Sequence, residues 1–443
     1  MAGTLIAILT LTVLGLPLAL LLDRSARGPL LLGSSFLDGS GAVFLLLLLL
    51  SILHIPWTLL SVAVAALLFW VAAWAGLRVR DARAPAPPGL SPQPRFHWTD
   101  LATLITLAGY GIYATAASLW EWDFWAIWAL KARVFLEHGG IDWRFLESPW
   151  NSFAHPDYPL LLPLNFDFIA LVSGSWSDRW LGFFFIALGL ALLLIARSLV
   201  AAESTPFVAG LMTFALTTIA VSRYVGLSEG AMIAFGGAAV LFLRRAMLLE
   251  EPAAWRHGAV MLGFAANCKN EGLALLVAVG LAMLLSEPRR WRRLFRLWPA
   301  IALALPWLLL RATHVLATDI AGGSVSDRLL SRMHIAPQIL TFLSARLDEP
   351  GFWVAILAAV LIAPAALRRR ESFVLLATAI QLLFYIGSYF ATPHDIRWHV
   401  ATSWSRLTGQ VAVPITYSAI IMLADLVFAR KNAPHAEARS EQP

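Results

Sequence analysis

The sequence predicts an all-α polytopic membrane protein: one bundle of about 13 transmembrane helices over residues 1–430, with juxtamembrane helices in its first large extracytoplasmic loop. Three observations predict it. Of the 443 residues, 59% are hydrophobic and 14% charged, with a mean hydropathy of +0.73, far from the mix of soluble domains. Apolar runs of roughly 15–20 residues recur from end to end. Arginines gather in the short connections between those runs. No stretch is left for a soluble domain of useful size. A single cysteine, Cys268, excludes an intramolecular disulfide and any cysteine-cluster metal site.

The first segment, 4–22, lacks a basic flank and a small-residue cleavage site, so it reads as a retained helix rather than a signal peptide. Crossings follow at 41–55, 57–77, 101–119, 180–199, 206–222, 225–243, 258–268, 272–286, 298–316, 351–367, 373–390 and 409–429. The pairs meeting at His54-Ile55-Pro56 and at Lys269-Asn270-Glu271-Gly272 are close-set. Each needs a tight reversal or a broken helix buried in protein, because unpaired backbone is not tolerated against lipid. Segment 159–173 is apolar but carries Asn165 and Asp167. A full crossing there inverts everything after it against the arginine pattern, so it reads as a half-inserted or juxtamembrane helix. No internal repeat, direct or inverted, is visible.

Orientation follows from Arg24 and Arg27; Arg78, Arg80, Arg83 and Arg95; Arg244, Arg245 and Arg256; Arg289, Arg290, Arg292, Arg293 and Arg296; Arg368–Arg370; and Arg430 with Lys431. The positive-inside rule places these in the cytoplasm, so the net charge of +6 reports topology and contact with anionic lipid rather than nucleic-acid binding. The Pro-rich piece within 78–98 is then a cytoplasmic linker, and 431–443 a disordered cytoplasmic tail. Opposite them lie the extracytoplasmic loops 120–158, 317–350 and 391–408, with the short turns 223–229 and 269–271.

Most of the concentrated polarity falls on that outer side. Glu121 and Asp123 stand at a helix exit among Trp120, Trp122, Trp125 and Trp128. An interfacial aromatic belt with two acids explains them, and so does a partly desolvated carboxylate placed as a base toward a hydroxyl. The chain uses three lysines, Lys131, Lys269 and Lys431, against thirty arginines. Two of the three fall in outer polar clusters, where a compact point charge suits phosphate binding. His155-Pro156-Asp157-Tyr158-Pro159 stiffens the return to the membrane and holds a histidine and an acid at its mouth; turn chemistry alone also accounts for the prolines. Arg223, Tyr224, Ser228 and Glu229 form a smaller cluster, in which Arg223 is equally readable as a snorkelling interfacial arginine.

Lys269, Asn270 and Glu271 interrupt two short apolar halves, where ionisable groups normally face a polar cavity; a self-neutralising Lys–Glu pair is the alternative. The densest later string is Thr392-Pro393-His394-Asp395-Ile396-Arg397-Trp398-His399, followed by Ser403 and Arg406. Its histidines and Asp395 match no zinc or iron spacing. An anion site built on Arg397, Arg406 and a histidine is more economical.

An acid just outside a transmembrane helix, a following juxtamembrane helix and a Pro-rich turn back into the membrane resemble the first extracytoplasmic loop of the GT-C superfamily of polyprenyl-phosphate-sugar glycosyltransferases. Protein O-mannosyltransferases and the aminoarabinose transferases that modify lipid A share that layout. Asp123 matches the first acid of the family's early loop motif, and His155-Pro156-Asp157-Tyr158-Pro159 its Pro-Pro-Leu-type turn. Trp122-Asp123 with Trp128 and Lys131-Ala132, Lys269-Asn270-Glu271-Gly272 and His394-Asp395 with Trp398-His399 also look like motifs of bacterial membrane proteins in this superfamily. Two departures stand out: the family's Asp-Glu pair is Asp123-Phe124 here, with the second acid at Glu121, and several crossings precede the loop instead of one.

The resemblance implies an integral membrane glycosyltransferase of the bacterial inner membrane, acting on the extracytoplasmic side with inversion at the sugar. Its partners would be a polyprenyl-phosphate-linked sugar donor, an extracytoplasmic acceptor (glycan, lipid or protein) and membrane lipid. Asp123, with Glu121 as substitute, would be the base. Lys269, Arg397, Arg223, Lys131 and Arg406 would bind the donor phosphate. His155, Asp157, Tyr158, Asn270, Glu271, His394, Asp395 and Trp122 would hold sugar or acceptor. The resemblance fixes no cofactor and leaves room for a divalent cation, magnesium or manganese. The competing class is a secondary transporter or flippase for a lipid-linked sugar or small anion, with Lys269 and Glu271 as the coupling site. A transferase calls for one cavity lined by Asp123 and Lys269 together; a transporter calls for two matching half-bundles.

Overall fold

The computed structural model describes residues 1–83, 96–222, 225–318, 325–345, 350–392 and 394–440. Most of the linker around Ala84–Arg95, Arg223 and Tyr224 therefore lie outside the described residues. Among these residues nineteen α-helices follow in order: α1 (Ala2–Leu22), α2 (Gly28–Ile52), α3 (Leu59–Arg83), α4 (Asp100–Ala116), α5 (Ala129–His138), α6 (Trp143–Glu147), α7 (Leu161–Ser173), α8 (Gly182–Ala201), α9 (Pro206–Thr217), α10 (Ser228–Leu249), α11 (Pro252–Ala266), α12 (Asn270–Ser286), α13 (Trp298–Thr313), α14 (Val325–Arg332), α15 (Ala336–Ala345), α16 (Pro350–Ile362), α17 (Ala365–Arg370), α18 (Ser372–Ala391) and α19 (Ile396–Ser440). No strand occurs among the described residues.

Every expected crossing overlaps a helix. Among the described residues, eight helical segments, Ala2–Leu22, Gly28–Ile52, Leu59–Arg80, Gly182–Ala201, Ser228–Leu249, Pro288–Thr313, Ser372–Ala391 and Ile396–Phe428, are long and apolar enough to span a membrane, which makes the chain an all-α, multi-pass membrane protein. Others, such as α9, α12 and α16, are shorter apolar helices.

Two boundaries differ from expectation for physical reasons. Helix α2 starts at Gly28 rather than near 41. Its first half, Gly33-Ser34-Ser35-Phe36-Leu37-Asp38-Gly39-Ser40-Gly41, is too polar to read as a crossing, yet it is buried. Its small residues let α1 approach closely: a Cβ on Gly39 would overlap the Leu11 carbonyl, and one on Gly15 the Ser35 carbonyl. Helix α19 starts at Ile396 rather than near 409, so much of the expected outer loop is its first turns. The same helix continues through Ser440, across residues that read from sequence as a disordered tail.

The arginine-bearing connections do share one end of the bundle. Arg80 donates to the Leu20 carbonyl at 3.0 Å and Arg256 to that of Leu22 at 2.7 Å. Arg244 joins Glu203 and Glu371 at 2.9 and 2.6 Å, and Arg370 joins Asp425 at 2.6 Å. Helix α7 is buried through most of its length. The Leu161 amide donates to the Asn267 carbonyl, and Ser173 packs on Gly3 at the start of α1, opposite the arginine end. It therefore enters and returns on one side, with Asn165 bonded to Ser40 of α2. A helix at that depth survives because protein, not lipid, surrounds it.

Candidate functional site

At the end of the bundle opposite the arginines, a cavity of about 600 Å³ opens between the first loop, the α11–α12 break, α18 and the start of α19. That volume is the size of small-molecule sites generally. Asp123, at the head of a π-turn over Phe124–Trp128, and Ile127 one turn on supply one wall. His155, Asp157 and Tyr158 supply a second, Lys269, Asn270 and Glu271 the floor, and Glu229 of α10 a buried corner.

Helix α19 presents His399, Thr402, Ser403, Arg406 and Leu407, and α18 presents Phe384, Tyr385 and Ser388, each set at the three- and four-residue spacing of one helix face. That spacing also decides which expected residues are absent. Arg397 is half a turn away from His399 and faces outward, exposed. Asp395 accepts the Trp398 amide at 2.9 Å and so starts the helix instead of lining the cavity. His394 lines it.

The charged groups form one network. Glu229, fully buried, accepts from the Lys269 ammonium at 2.8 Å and from Arg406 Nε and Nη2 at 3.1 and 2.9 Å. Arg406 Nη2 reaches on to Asp123 at 2.5 Å. Lys269 also meets Glu271 at 2.9 Å. Asp123 and Lys269, far apart in sequence, are thus linked by three successive contacts along one wall. Burial of Glu229 is tolerable because both cations reach the same carboxylate oxygen.

A second set holds Asp157. Its Oδ2 accepts from Asn270 at 2.9 Å and lies 3.5 Å from Arg311, which also donates to Asn270 at 3.3 Å. A third set lies under α18: Gln381 donates to the Glu271 carbonyl at 3.1 Å and to the Tyr385 hydroxyl at 2.8 Å, and Tyr385 donates to Gln410 at 2.7 Å.

Lys131 does not reach the cavity. It is fully buried in α5, its ammonium donating to the His155 carbonyl at 2.7 Å and lying over the rings of Trp128 and Tyr158. Burial pushes this lysine down to about 7, against the pull of Asp157. Its place is behind the His155 wall, where it supports a histidine held at a φ of +48° and stacked on Tyr158 at 4.5 Å. Glu121 stands beside the network without lining the cavity. Burial raises its carboxyl above the usual range, Arg406 opposes this, and the charges of Asp123 and Glu229 add to it. Trp122, 74% exposed, faces away.

The cavity therefore gathers Asp123, Lys269, Arg406, His155, Asp157, Tyr158, Asn270, Glu271 and His394, and leaves out Glu121, Trp122, Lys131, Arg397 and Asp395. Sequence reasoning noticed Glu229 only as part of a small cluster and passed over Tyr385 and Thr402. The signal for Glu229 was present: an acid in the first turn of an apolar helix needs a cation. Nothing in the sequence singles out Tyr385.

Among the described residues, no group of three or more His, Cys, Asp and Glu side chains converges as a metal ion requires. Asp123, Glu229 and Glu271 are instead each engaged by arginine or lysine. No family model, curated protein or solved structure matches the chain.

Proposed function

We propose that this chain is a membrane-embedded glycosyltransferase of the GT-C type, with the thirteen-crossing layout that its sequence suggests. It would move a sugar from a polyprenyl-phosphate donor to an extracytoplasmic acceptor with inversion. The observation that carries the reading is the ion-pair chain Asp123–Arg406–Glu229–Lys269 along one wall of a single cavity. It sets a carboxylate base and two phosphate-binding cations side by side.

In this reading Asp123 takes the proton of the acceptor hydroxyl as its oxygen attacks the anomeric carbon. The bond from that carbon to the donor phosphate oxygen breaks on the opposite face, and the pair of electrons leaves with the polyprenyl phosphate. Lys269 and Arg406 stabilise the negative charge gathering on that phosphate. Both cations are shared with carboxylates, so donor binding trades contacts with Glu229 and Asp123 for contacts with phosphate. His155 and Trp398 offer flat faces for sugar and acceptor.

The test uses the full chain purified in detergent, mixed with synthetic polyprenyl-phosphate sugars bearing mannose, glucose, arabinose or aminoarabinose. Release of free polyprenyl phosphate that depends on the protein and fails in Asp123→Asn supports the proposal. Absence of release from every donor, together with protein-dependent movement of the same lipids across a vesicle bilayer, replaces it with the flippase reading.

A further inference from the structure

The end of the molecule opposite the cavity carries a second concave feature. Helix α12 runs 17 residues, about 25 Å at the ordinary helical rise, from Asn270 at the cavity to Ser286. That distance nearly matches the hydrocarbon core of a bilayer. There the chain turns through 3₁₀ geometry over Pro288–Leu297 before α13 returns. Arg289, Arg290, Arg292, Arg293, Arg296 and Trp291 line a hollow of about 420 Å³ at this turn.

The arginines are not equivalent. Arg293 is buried and paired with Glu250 and Glu287. Arg296 and Arg290 meet Glu250 at 2.9 and 3.3 Å. Two carboxylates therefore serve three arginines, and these pairs hold the turn against α10. Arg289 and Arg292 are exposed and, among the described residues, have no carboxylate partner. Arg292 lies over the Trp291 ring instead. The hollow thus keeps an excess of positive charge that the protein does not neutralise.

Its surroundings say what kind of anion it meets. Trp291, Phe295 and Trp298 are 50%, 68% and 67% exposed beside it. Below them the outward faces of α12 and α13 show Leu281, Leu285, Ile301 and Leu305. Apolar helix faces, then exposed aromatics, then free arginines is the order met on passing from acyl chains to headgroups.

We propose that this hollow is a binding site for the phosphate headgroup of an anionic phospholipid, with Arg289 and Arg292 as the contacting cations. Arg290, Arg293 and Arg296 form its frame, and the aromatics flank the acyl chains. The site lies across the membrane from the cavity and stands independently of the glycosyltransferase reading.

The full chain in maltoside detergent at physiological salt would be titrated with tetraoleoyl cardiolipin, with dioleoylphosphatidylcholine and with inorganic phosphate, binding being read from Tm. Loss of one contacting arginine should weaken cardiolipin binding about fivefold, and Arg289→Gln with Arg292→Gln together about thirtyfold. A control pair at the same end, Arg24→Gln with Arg369→Gln, has the same net charge and should bind as the parent does. The proposal falls if the double variant binds cardiolipin like the parent or if the control pair loses as much, which marks diffuse surface charge. It also falls if phosphatidylcholine stabilises equally, or if inorganic phosphate does, which marks a soluble-anion site.

Discussion

Arg406 donates through a single nitrogen to both Asp123 and Glu229, at 2.5 and 2.9 Å, and so ties the first loop to the buried start of α10. Removing it leaves Glu229 buried with Lys269 alone and Asp123 without its cation. Arg406→Gln should destabilise the protein by roughly 3–5 kcal/mol, the usual consequence of breaking a buried pair from one side. Arg406→Lys keeps the charge but not the forked geometry, and should recover part of the stability and little of the transfer. Denaturant unfolding in detergent, alongside donor turnover, checks both.

Lys269 and Glu229 form the other half of that link. Lys269→Met and Glu229→Gln should each destabilise, whereas the double variant should be less damaged than the sum of the two. The coupling expected for residues in one network is about 0.5–3 kcal/mol. A double-mutant cycle giving no coupling would show that the 2.8 Å contact contributes nothing net.

The two early acids should separate cleanly. Asp123 lines the cavity and Glu121 does not. Asp123→Asn should lower the transfer rate by about 10²–10⁴, the range for a lost general base, while leaving the fold intact. Glu121→Gln should change it by less than about tenfold. Equal losses from both would move the base role to Glu121.

Lys131 gives the molecule a pH signature in stability. Its folded value of about 7 lies below the ordinary lysine value, so from near pH 7 to near pH 10 the unfolded chain binds more protons than the folded one. Stability should therefore rise with pH across that window from this residue. The penalty for holding a buried ammonium is present in full below pH 7. Lys131→Met should flatten that rise, measured as Tm in detergent from pH 6.5 to 9.5.

Gly39 sets the spacing of α1 and α2. With the Leu11 carbonyl where a Cβ would sit, Gly39→Ala should destabilise by about 1–3 kcal/mol through overpacking. Gly109→Ala, open on all sides, should cost nothing comparable. Parallel thermal unfolding of the two variants distinguishes them.

Much of this protein is determined locally, and the sequence by itself determines that part. Hydropathy fixes that the chain is a helical membrane protein, and arginines mark one shared end, because lipid penalises unpaired backbone and charge wherever they occur. The polar words at Asp123, His155-Pro156-Asp157-Tyr158, Lys269-Asn270-Glu271 and Arg406 also stand out against an apolar background, and the cavity gathers all of them. Which neighbours join them was decided only by tertiary structure. Arg397 and Arg406 are chemically alike in sequence, but an early start to α19 turns one outward and the other onto Glu229. Lys131 and Lys269 read as a matched pair of phosphate ligands, yet the packing of α5 buries one behind His155 while the α11–α12 break delivers the other to the cavity. The physical reason is the same in both cases. A residue's chemistry is a property of its side chain, but the direction in which it is presented depends on helix phase and on which surfaces pack, and those are set by contacts distant in sequence.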